Sequence, residues 1–571
     1  MIARARIERG LVLQWYYGCM RIGMLQLNPV IGDVRGNTSR MIDAIDQLDA
    51  ELIVTPEMSI CGYPPRDLLY MTDFVHACEE AVQQVAQQHP SKVVVVGHPR
   101  IDGATGRVRN SVSVLLGGDV IARYDKQLLP SYDIFDEKRY FEAGEVSCVV
   151  DALGTKIGIA ICEDFWRGLD AHAAPTYDTN PISDLIEQGC TMIVSPGASP
   201  FVSGKREVHL QYTQELAAEH GLIIVATNQV GGNDDLVFDG GSFIASPDGL
   251  LGVLPLFETG SLVVDTDVPS LVEHTLPTDD EERFLALRLC VQDYFHKTNH
   301  SNAILGLSGG IDSALTATIA VSALGATSVT GVLMPSRYSS RGSIEDAEQL
   351  ATTLGIETIN IPIEHMHLEL ERTIDDCCLH ITGLAGENVQ ARIRGVLLMA
   401  HANEHHGLLL ATGNKSELAV GYSTLYGDMA GALSVIGDLY KTDVWSMAKW
   451  INGQSSTCGF AVPPIPDSSI TKAPSAELRP DQLDQDALPP YDDLDSILRL
   501  HIDLDLGIDE IEEKLDLSCD LITQVVQMVD HAQFKRDQAA VILKTSPRSF
   551  GRGRRMPIVM QRNWSVSREM T

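Results

Sequence analysis

The chain has 571 residues, of which 77 are Asp or Glu and 43 are Lys or Arg, giving a formal net charge of −34. At roughly 100 to 200 residues per domain, this length predicts two or more domains and excludes a single small one. The acidic charge repels phosphate backbones, which argues against a nucleic-acid partner.

The first twenty residues do not show the pattern of a targeting signal. They mix Arg and Glu with the run LVLQWYY, and we predict that residues 1–20 are an extension, either disordered or an over-called start. No apolar run reaches the roughly 18 residues of a membrane helix. The 11 cysteines lack CxxC pairs and regular spacing, which indicates a reducing compartment. We therefore expect a cytoplasmic protein without a membrane partner.

Residues 21–267 show the pattern of an α/β domain. Runs rich in Val and Ile, such as ELIVTPEM, KVVVVGHP and LIIVATNQ, alternate with helical patterns such as NTSRMIDAIDQLDA. The segments SVSVLLGGDVIARYD and GSFIASPDGLLGVLPL carry Gly or Asp-Gly between two strand-like arms, which predicts hairpins. The sheets of this domain should therefore be mixed.

The remaining sequence predicts a linker, a second domain and a tail. Residues 268–283, VPSLVEHTLPTDDEER, contain Pro and a charge run without a strand pattern, and we assign them to a linker. Strands and helices then alternate through residues 284–545, which predicts a doubly wound parallel sheet. Residues 546–571 form a locally basic tail. This tail is either a mobile or surface-packed segment that offsets an acidic body, or a segment with a function of its own.

The stretch AILGLSGGIDSALTATIA places a Gly-Gly pair and a carboxylate where a strand meets a helix. Gly309 and Gly310 let backbone N–H groups converge, and the helix N-terminus adds partial positive charge, so the stretch predicts an anion site. Asp312 beside bound phosphates suggests a Mg²⁺ ion between them. The alternative is a tight strand-to-helix turn in which Asp312 is only an N-terminal helix charge.

Three reactive side chains lie in the first domain: Glu57, Lys126 and Cys162. A thiol, a carboxylate and an ammonium together can attack an amide, with Cys162 as nucleophile, Glu57 as base and Lys126 facing the oxyanion. Taken singly, each also suits a structural role: a buried cysteine, a surface or cap carboxylate and a solvated lysine.

The loop Ser308–Ser313 resembles the SGGxDS pyrophosphate loop of the N-type ATP pyrophosphatases, and it lacks the Lys of the other common phosphate loop. NAD, GMP, asparagine and argininosuccinate synthetases and tRNA-thiolating enzymes all share this loop, so that resemblance alone does not decide among these enzymes. The first domain resembles the nitrilase superfamily of carbon–nitrogen hydrolases, which carries a Glu-Lys-Cys triad on an α-β-β-α sandwich. The resemblance implies the triad roles for Glu57, Lys126 and Cys162, with Glu137 as a further carboxylate. It also implies that Tyr132, Ser199 and Lys205 bind glutamine.

The two halves in this order are similar to the glutamine-dependent NAD synthetase family, from about Arg21 to Lys544. The resemblance implies that ammonia from glutamine converts deamido-NAD to NAD through a nicotinyl adenylate, with ATP as co-substrate. It also implies that the enzyme uses Mg²⁺ and no prosthetic group. It further implies a homo-oligomer, with an octamer as one possible form. It implies Mg²⁺ on Asp312 and Glu417, and deamido-NAD on Asn388, Glu417 and Lys535. The implied ATP contacts are Gly306, Leu307, Ser308, Gly309, Gly310, Ile311, Asp312, Ser313 and Thr412.

Several of these side chains also suit purely structural positions. Thr412 and Asn388 are typical of turns or caps, and Glu417 and Lys535 are typical of solvated surfaces. The first domain could be a non-catalytic scaffold on an ammonia-dependent synthetase. A tRNA-modifying enzyme would need a basic RNA-facing surface, which the acidic composition opposes.

Overall fold

A computed structural model describes residues 20–169, 177–378 and 381–562. Nearly all of the predicted extension (residues 1–19) and the end of the predicted tail (residues 563–571) lie outside the described residues. In the described part, no helix combines the length and the apolar character needed to cross a bilayer.

The first half of the chain contains fourteen strands and six α-helices among its described residues. The strands are β1 (Arg21–Gln26), β2 (Leu52–Val54), β3 (Val93–Ile101), β4 (Val108–Leu116), β5 (Asp119–Asp125), β6 (Cys148–Ala152), β7 (Thr155–Ile159), β8 (Met192–Gly197), β9 (Ile223–Asn228), β10 (Val230–Asn233), β11 (Leu236–Asp239), β12 (Phe243–Ser246), β13 (Gly249–Val253) and β14 (Gly260–Asp265). The helices are α1 (Val34–Asp46), α2 (Thr72–Gln88), α3 (Glu137–Tyr140), α4 (Glu163–Trp166), α5 (Pro181–Glu187) and α6 (Lys205–His220).

Two six-stranded sheets stack on each other, with strand orders β14-β1-β2-β3-β4-β5 and β13-β12-β9-β8-β7-β6. Side chains alternate between the faces of each strand. Val93 and Val95 of β3 join the core that also contains residues of the second sheet, whereas Val94 and Val96 pack with α1 and α2. Helix α6 contacts β9 and β12. The result is the predicted four-layer α-β-β-α sandwich.

Both predicted hairpins form. Strands β4 and β5 pair antiparallel around Gly117 and Gly118, which have φ values of 69° and 86°. Strands β12 and β13 pair antiparallel around the turn that precedes Gly249. Positive φ is accessible to glycine without a steric penalty, so the Gly-Gly turn follows from local sequence.

The second half contains twelve α-helices and six strands among its described residues. The helices are α7 (Asp279–Lys297), α8 (Ile311–Leu324), α9 (Arg341–Leu354), α10 (Glu364–Asp376), α11 (Leu384–Glu404), α12 (Lys415–Val420), α13 (Lys441–Gly453), α14 (Asp467–Thr471), α15 (Tyr491–Leu498), α16 (Ile508–Lys514), α17 (Cys519–His531) and α18 (Gln533–Arg536). The strands are β15 (Ala303–Gly306), β16 (Val329–Leu333), β17 (Glu357–Asn360), β18 (Leu408–Ala411), β19 (Leu433–Ser434) and β20 (Val541–Ile542).

These six strands form one sheet of order β17-β16-β15-β18-β19-β20, and every neighbouring pair is parallel. The predicted doubly wound parallel sheet is therefore present. The strand order reverses direction between β15 and β18, where open α/β sheets place their ligands. The loop that follows β15 is the predicted anion-binding stretch.

Helix α7 connects the two halves and differs from the sequence interpretation at its start. The charge run assigned to the linker forms the first turn of α7, because Thr278 caps the helix and accepts a hydrogen bond from Glu281 N. Acidic residues in a first turn are favoured by the helix dipole. Phe284 on α7 shares one hydrophobic core with Phe201 and Phe257 of the first half, so the halves pack directly.

The described part of the predicted tail, residues 546–562, packs over both halves. Arg552 Nη1 lies 3.8 Å from Asp235 Oδ1 of the first half. Ser546 donates through N and Oγ to Asp438 of the second half, at 2.7 and 2.9 Å. In its described part, this segment is packed rather than free.

Two candidate active sites

The three reactive side chains of the first half converge between the two stacked sheets. Glu57 follows β2, Lys126 follows β5 directly, and Cys162 follows β7 at the start of α4. Their exposed fractions are 1%, 1% and 6%, respectively. The ends of strands from both sheets therefore bring together residues that are far apart in the chain.

Three donors fix the Glu57 carboxylate. Asn110 Nδ2 and Lys126 Nζ donate to Oε1 at 2.6 and 2.8 Å, and the backbone N–H of Ala198 donates to Oε2 at 3.0 Å. An ionised carboxylate can only accept hydrogen bonds, so this environment suits a charged base. Asn110 was not singled out from the sequence, because nothing local distinguishes it from a strand residue.

Glu137 completes a buried network with Lys126. Its Oε1 accepts hydrogen bonds from Lys126 Nζ at 2.9 Å and from the Tyr63 hydroxyl at 2.8 Å. Burial raises the pKa of Glu137 to about 7, although Lys126 opposes the shift. Burial lowers the pKa of Lys126, but Glu137 and Glu57 outweigh it and hold that pKa well above its ordinary value. Lys126 is thus a permanent cation shared by two carboxyl groups.

Cys162 has the backbone and the environment of a constrained nucleophile. Its φ is 44° and its ψ is −97°, a strained conformation for a residue with a Cβ, and its N–H donates to Pro196 O at 3.0 Å. Burial and the nearby Glu57 carboxylate raise the pKa of the thiol, and Lys126 opposes them. The thiol is therefore neutral at rest and needs a base to form the thiolate.

The three residues predicted to bind glutamine lie around this thiol in two groups. Lys205 Nζ donates to Ser199 Oγ at 2.8 Å, and both residues line a cavity of about 40 Å³ together with Gly197 and Asn228. A Cβ on Gly197 would lie 4.0 Å from Cys162 Sγ, so the cavity adjoins this thiol.

The third residue, Tyr132, is connected to the Cys162 loop by a hydrogen bond to Glu163, the residue after Cys162. The Tyr132 hydroxyl donates to Glu163 Oε2 at 2.9 Å, and the Tyr177 hydroxyl donates to Oε1 at 2.6 Å. Sequence reasoning missed Glu163, although its position directly after the cysteine was an available signal.

Asp164 is a further residue that the sequence did not single out, and it connects the loops that carry Lys126 and Cys162. Its Oδ1 accepts hydrogen bonds from the N–H groups of Gln127 and Leu128 at 3.0 and 2.7 Å. Its Oδ2 accepts from Ile161 N at 3.1 Å and from the Tyr124 hydroxyl at 2.9 Å. The loops that present Lys126 and Cys162 therefore share one buried carboxylate.

The predicted anion site of the second half opens into two neighbouring cavities of about 220 and 260 Å³. Ser308 and Thr412 line both cavities. Gly309 has a φ of 77°, and a Cβ there would lie 2.0 Å from Ser343 O, so only glycine fits. The remaining predicted ATP contacts on these walls are Gly306, Leu307, Gly310, Ile311, Asp312 and Ser313.

Asp312 and Glu417 face each other in the first of these cavities, with Lys441 Nζ beside both. Burial, together with the Asp312 charge, raises the pKa of Glu417 to about 8, although Lys441 opposes the shift. In the described part of the chain, no group of three or more His, Cys, Asp or Glu side chains is arranged to hold a metal. Two carboxylates with phosphate oxygens and water nevertheless fit Mg²⁺, which is commonly held this way.

Asn388 and Lys535 lie behind the loop Gly421–Asp428 and do not line either cavity. Lys535 Nζ donates to Gly421 O and Ser423 O, each at 2.7 Å. Asn388 Oδ1 accepts a hydrogen bond from Thr424 Oγ1 at 2.7 Å. Lys535 thus holds the backbone of this loop and Asn388 one of its side chains, and the Tyr422, Ser423 and Asp428 of the loop line a cavity.

Further polar residues on the cavity walls were not picked out from the sequence. They are Arg394, Lys441, Lys472, Glu477 and Asp484. Lys472, Glu477 and Asp484 belong to the Pro- and acid-rich stretch KAPSAELRPDQLDQDALPPYDDLD, residues 472–495, whose composition is typical of a loop. Their role depends on tertiary folding, because charged residues in a loop give no local sign of burial.

Comparison with known proteins matches both halves. The carbon–nitrogen hydrolase family model matches residues 21–273, and the NAD synthase family model matches residues 284–539. The glutamine-dependent NAD(+) synthetases of Synechocystis sp. and Thermotoga maritima are 43% and 38% identical to the chain, over 94% of it and 98% of each relative. The solved structure of glutamine-dependent NAD+ synthetase from Acinetobacter baumannii in complex with ADP is 36% identical, with a TM-score of 0.75, covering 95% of this chain and 98% of that one.

Proposed function

The chain belongs to the glutamine-dependent NAD(+) synthetase family, and from this premise we propose which residues carry out each half of its reaction. It catalyses the ATP- and glutamine-dependent amidation of deamido-NAD to NAD. We refer to residues 21–267 as the hydrolase domain and to residues 284–545 as the synthase domain. These boundaries are proposals, supported by the similar limits of the two family matches.

In the hydrolase domain, Cys162 attacks the side-chain amide of glutamine. Glu57 accepts the thiol proton and passes it to the leaving ammonia, while Lys126 stabilises the oxyanion. Water then attacks the resulting thioester, with Glu57 again as base, and glutamate is released. The observation that supports these roles best is the network in which Asn110, Lys126 and Ala198 N all donate to the Glu57 carboxylate.

Tyr132, Ser199 and Lys205 would bind glutamine beside this thiol. Ser199 and Lys205 contact each other on the wall of the adjoining cavity. Tyr132 lies near the thiol through its hydrogen bond to Glu163, the residue after Cys162. Lys205 and Asp239 both line the cavity, and a basic and an acidic side chain together suit an α-amino acid, which carries a carboxylate and an ammonium.

In the synthase domain, the nicotinate carboxylate of deamido-NAD attacks the α-phosphorus of ATP, and pyrophosphate leaves toward Ser308–Ser313. Asp312 and Glu417 would hold Mg²⁺, which when bound supplies positive charge against the charge on the leaving group. Thr412 lies on the shared wall of the two cavities, where it would contact ATP. Glu417 would contact deamido-NAD directly, whereas Asn388 and Lys535 would act through the loop that they hold.

Ammonia would then pass from Cys162 to the nicotinyl adenylate inside the protein, giving NAD and AMP. The support is direct packing of the domains through Phe201, Phe257 and Phe284. Ammonia that reaches the adenylate before meeting water avoids protonation. Synthesis with ¹⁵N-glutamine in the presence of unlabelled ammonium should give NAD labelled mainly with ¹⁵N.

Assembly into a homo-oligomer, with an octamer as one possible form, is part of this proposal. Leu384 and Val396 on α11 are 71% and 61% exposed, which leaves apolar surface on this helix. Light scattering of the purified protein measures the assembly, and a monomeric mass at micromolar concentration would contradict it.

The decisive experiment compares Cys162→Ala with the unaltered protein in NAD synthesis from glutamine or from ammonium. Loss of only the glutamine-driven reaction supports the nucleophile and the transfer of ammonia. Cys148→Ala, at a half-buried cysteine on β6, is the matched control and should keep both activities. Equal activity of Cys162→Ala with both nitrogen sources would support the scaffold alternative instead.

A further inference from the structure

Lys441 lies at the point where the proposed metal ion would bind. It is the first residue of α13, it is 2% exposed, and its Nζ contacts Asp312 Oδ2 closely. The same Nζ lies 3.7 Å from Glu417 Oε1. The rings of Tyr491 and Trp445 flank the ammonium, with centroids 5.5 and 5.9 Å away. One buried cation therefore bridges the two carboxylates assigned to Mg²⁺.

The remaining oxygens of both carboxylates are held by a single residue, Asn414. Its Nδ2 donates to Asp312 Oδ1 at 3.0 Å, and its backbone N donates to Glu417 Oε2 at 3.2 Å. Asp312 Oδ2 and Glu417 Oε1 are left directed toward Lys441. Both oxygens belong to the side chains that would hold the metal ion.

A lysine and a metal ion cannot both occupy this position. Mg²⁺ held by Asp312 and Glu417 would lie close to an ammonium that stayed in its present contact with them, because Mg²⁺ binds oxygen at about 2.1 Å. The two cations would also repel each other at short range in a buried site. Without any cation, however, two buried carboxylates would carry a large desolvation cost. A nearby cation, either the ammonium or a metal ion, lowers this cost.

We propose that Lys441 is an internal counterion that occupies the metal position in the resting enzyme and is displaced when Mg²⁺ enters with ATP. This inference rests on the proposed metal ligands. The displaced ammonium remains in a cavity lined by Ser308 and Lys472, where the phosphate groups of ATP would provide new negative partners. A metal ion alone must compete with Lys441 for the two carboxylates. When the nucleotide binds with the metal ion, its phosphate groups replace the ion pairs that the lysine loses. Metal binding and nucleotide binding thereby become mutually dependent.

The test measures Mn²⁺ binding by electron paramagnetic resonance in the absence of nucleotide, which reports occupancy without turnover. Lys441→Gln removes the charge but keeps a hydrogen-bond donor near Asp312. It should bind Mn²⁺ on the order of tenfold or more tightly than the unaltered protein, because the competitor is gone. The additional gain on adding ATP should be smaller in this variant than in the unaltered protein.

Lys472→Gln is the matched control, because Lys472 lines the same cavity but bonds to Ser343 and Asp346 instead of the metal carboxylates. Its Mn²⁺ affinity without nucleotide should equal that of the unaltered protein. Lys441→Arg keeps the charge and provides a second test should the glutamine variant fold poorly; it should bind Mn²⁺ no more tightly than the unaltered protein. Unchanged or weaker binding by folded Lys441→Gln, or a tenfold gain in Lys441→Arg, would overturn the inference.

Adding Asp312→Asn to Lys441→Gln locates the ion. Loss of the gained affinity supports the metal position at Asp312, and retention of it would overturn both that position and the role of Lys441. The proposed reaction is judged separately, by NAD formation in the unaltered protein, so its failure is distinguishable from failure of the counterion model.

Discussion

The Asp164 carboxylate, two residues after Cys162, accepts a hydrogen bond at 2.7 Å from the N–H of Leu128, two residues after Lys126. Asp164 also accepts from Ile161 N, directly before the nucleophile, at 3.1 Å. One buried side chain thus sets the spacing between Cys162, the proposed nucleophile, and Lys126, the proposed oxyanion partner.

Replacing Asp164 by Asn should uncouple these two loops. An amide nitrogen cannot accept the hydrogen bonds that one carboxylate oxygen now receives, and two donors would face each other. We expect glutamine-driven NAD synthesis to fall about 10- to 100-fold, with little change in ammonium-driven synthesis. Asp184→Asn, at an exposed position in α5, is the control. An equal loss with both nitrogen sources would indicate general misfolding instead.

The rate of glutamate release should fall on acidification below about pH 6. Burial raises the pKa of Asp164 from 3.8 to about 6, despite opposing hydrogen bonds and Lys126. Protonation of the Asp164 carboxylate removes part of its capacity to accept hydrogen bonds. We therefore expect the rate of glutamate release to fall about tenfold per pH unit at lower pH. Because this folded-state pKa lies above the unfolded value, the contribution of Asp164 to stability decreases as pH rises from about 4 to 6. Protonation of Asp164 therefore does not itself unfold the protein, and circular dichroism at each pH checks this.

Lys544→Met should weaken the contact between the domains and, through it, glutamine binding. Lys544 Nζ lies 3.1 Å from Asp133 Oδ2 and donates to Ser546 O and Pro547 O at 2.7 and 2.8 Å. Loss of a buried cation leaves these acceptors unpaired, at a cost of about 3 kcal/mol. A lower urea midpoint and a higher KM for glutamine are expected, because Asp133 adjoins Tyr132. Lys514→Met, at an exposed position in α16, should change neither quantity.

Lys535→Met should raise the KM for deamido-NAD about five- to tenfold and leave glutamate release unchanged. The lysine holds the carbonyl groups of Gly421 and Ser423, so its loss should loosen the loop that lines the cavity. Steady-state kinetics with each substrate varied in turn measures this. An unchanged KM for deamido-NAD would mean that the loop is held by Asn388 and its other contacts alone.

The sequence predicted the elements of the fold because the signals for them are local. Gly117 and Gly118 mark a hairpin turn, and the alternation of strand and helix after Phe284 predicts a parallel sheet. The start of α7 was assigned to a linker, since a charge run looks alike in a loop and in a capped first turn. The sequence also singled out Glu57, Lys126, Cys162 and Asp312 by their chemistry and by resemblance.

Only the tertiary structure decided which residues hold those groups in place. Asp164, Asn110 and Lys441 are ordinary polar residues by their neighbours in the chain, and each becomes important through a contact made far away in sequence. Lys535 and Asn388 were predicted to contact deamido-NAD, and the structure adds that they hydrogen-bond to the loop of Gly421 and Thr424, which their sequence neighbours do not indicate. The physical reason is that burial and charge pairing depend on which chain segments meet in space, and no local pattern encodes that meeting.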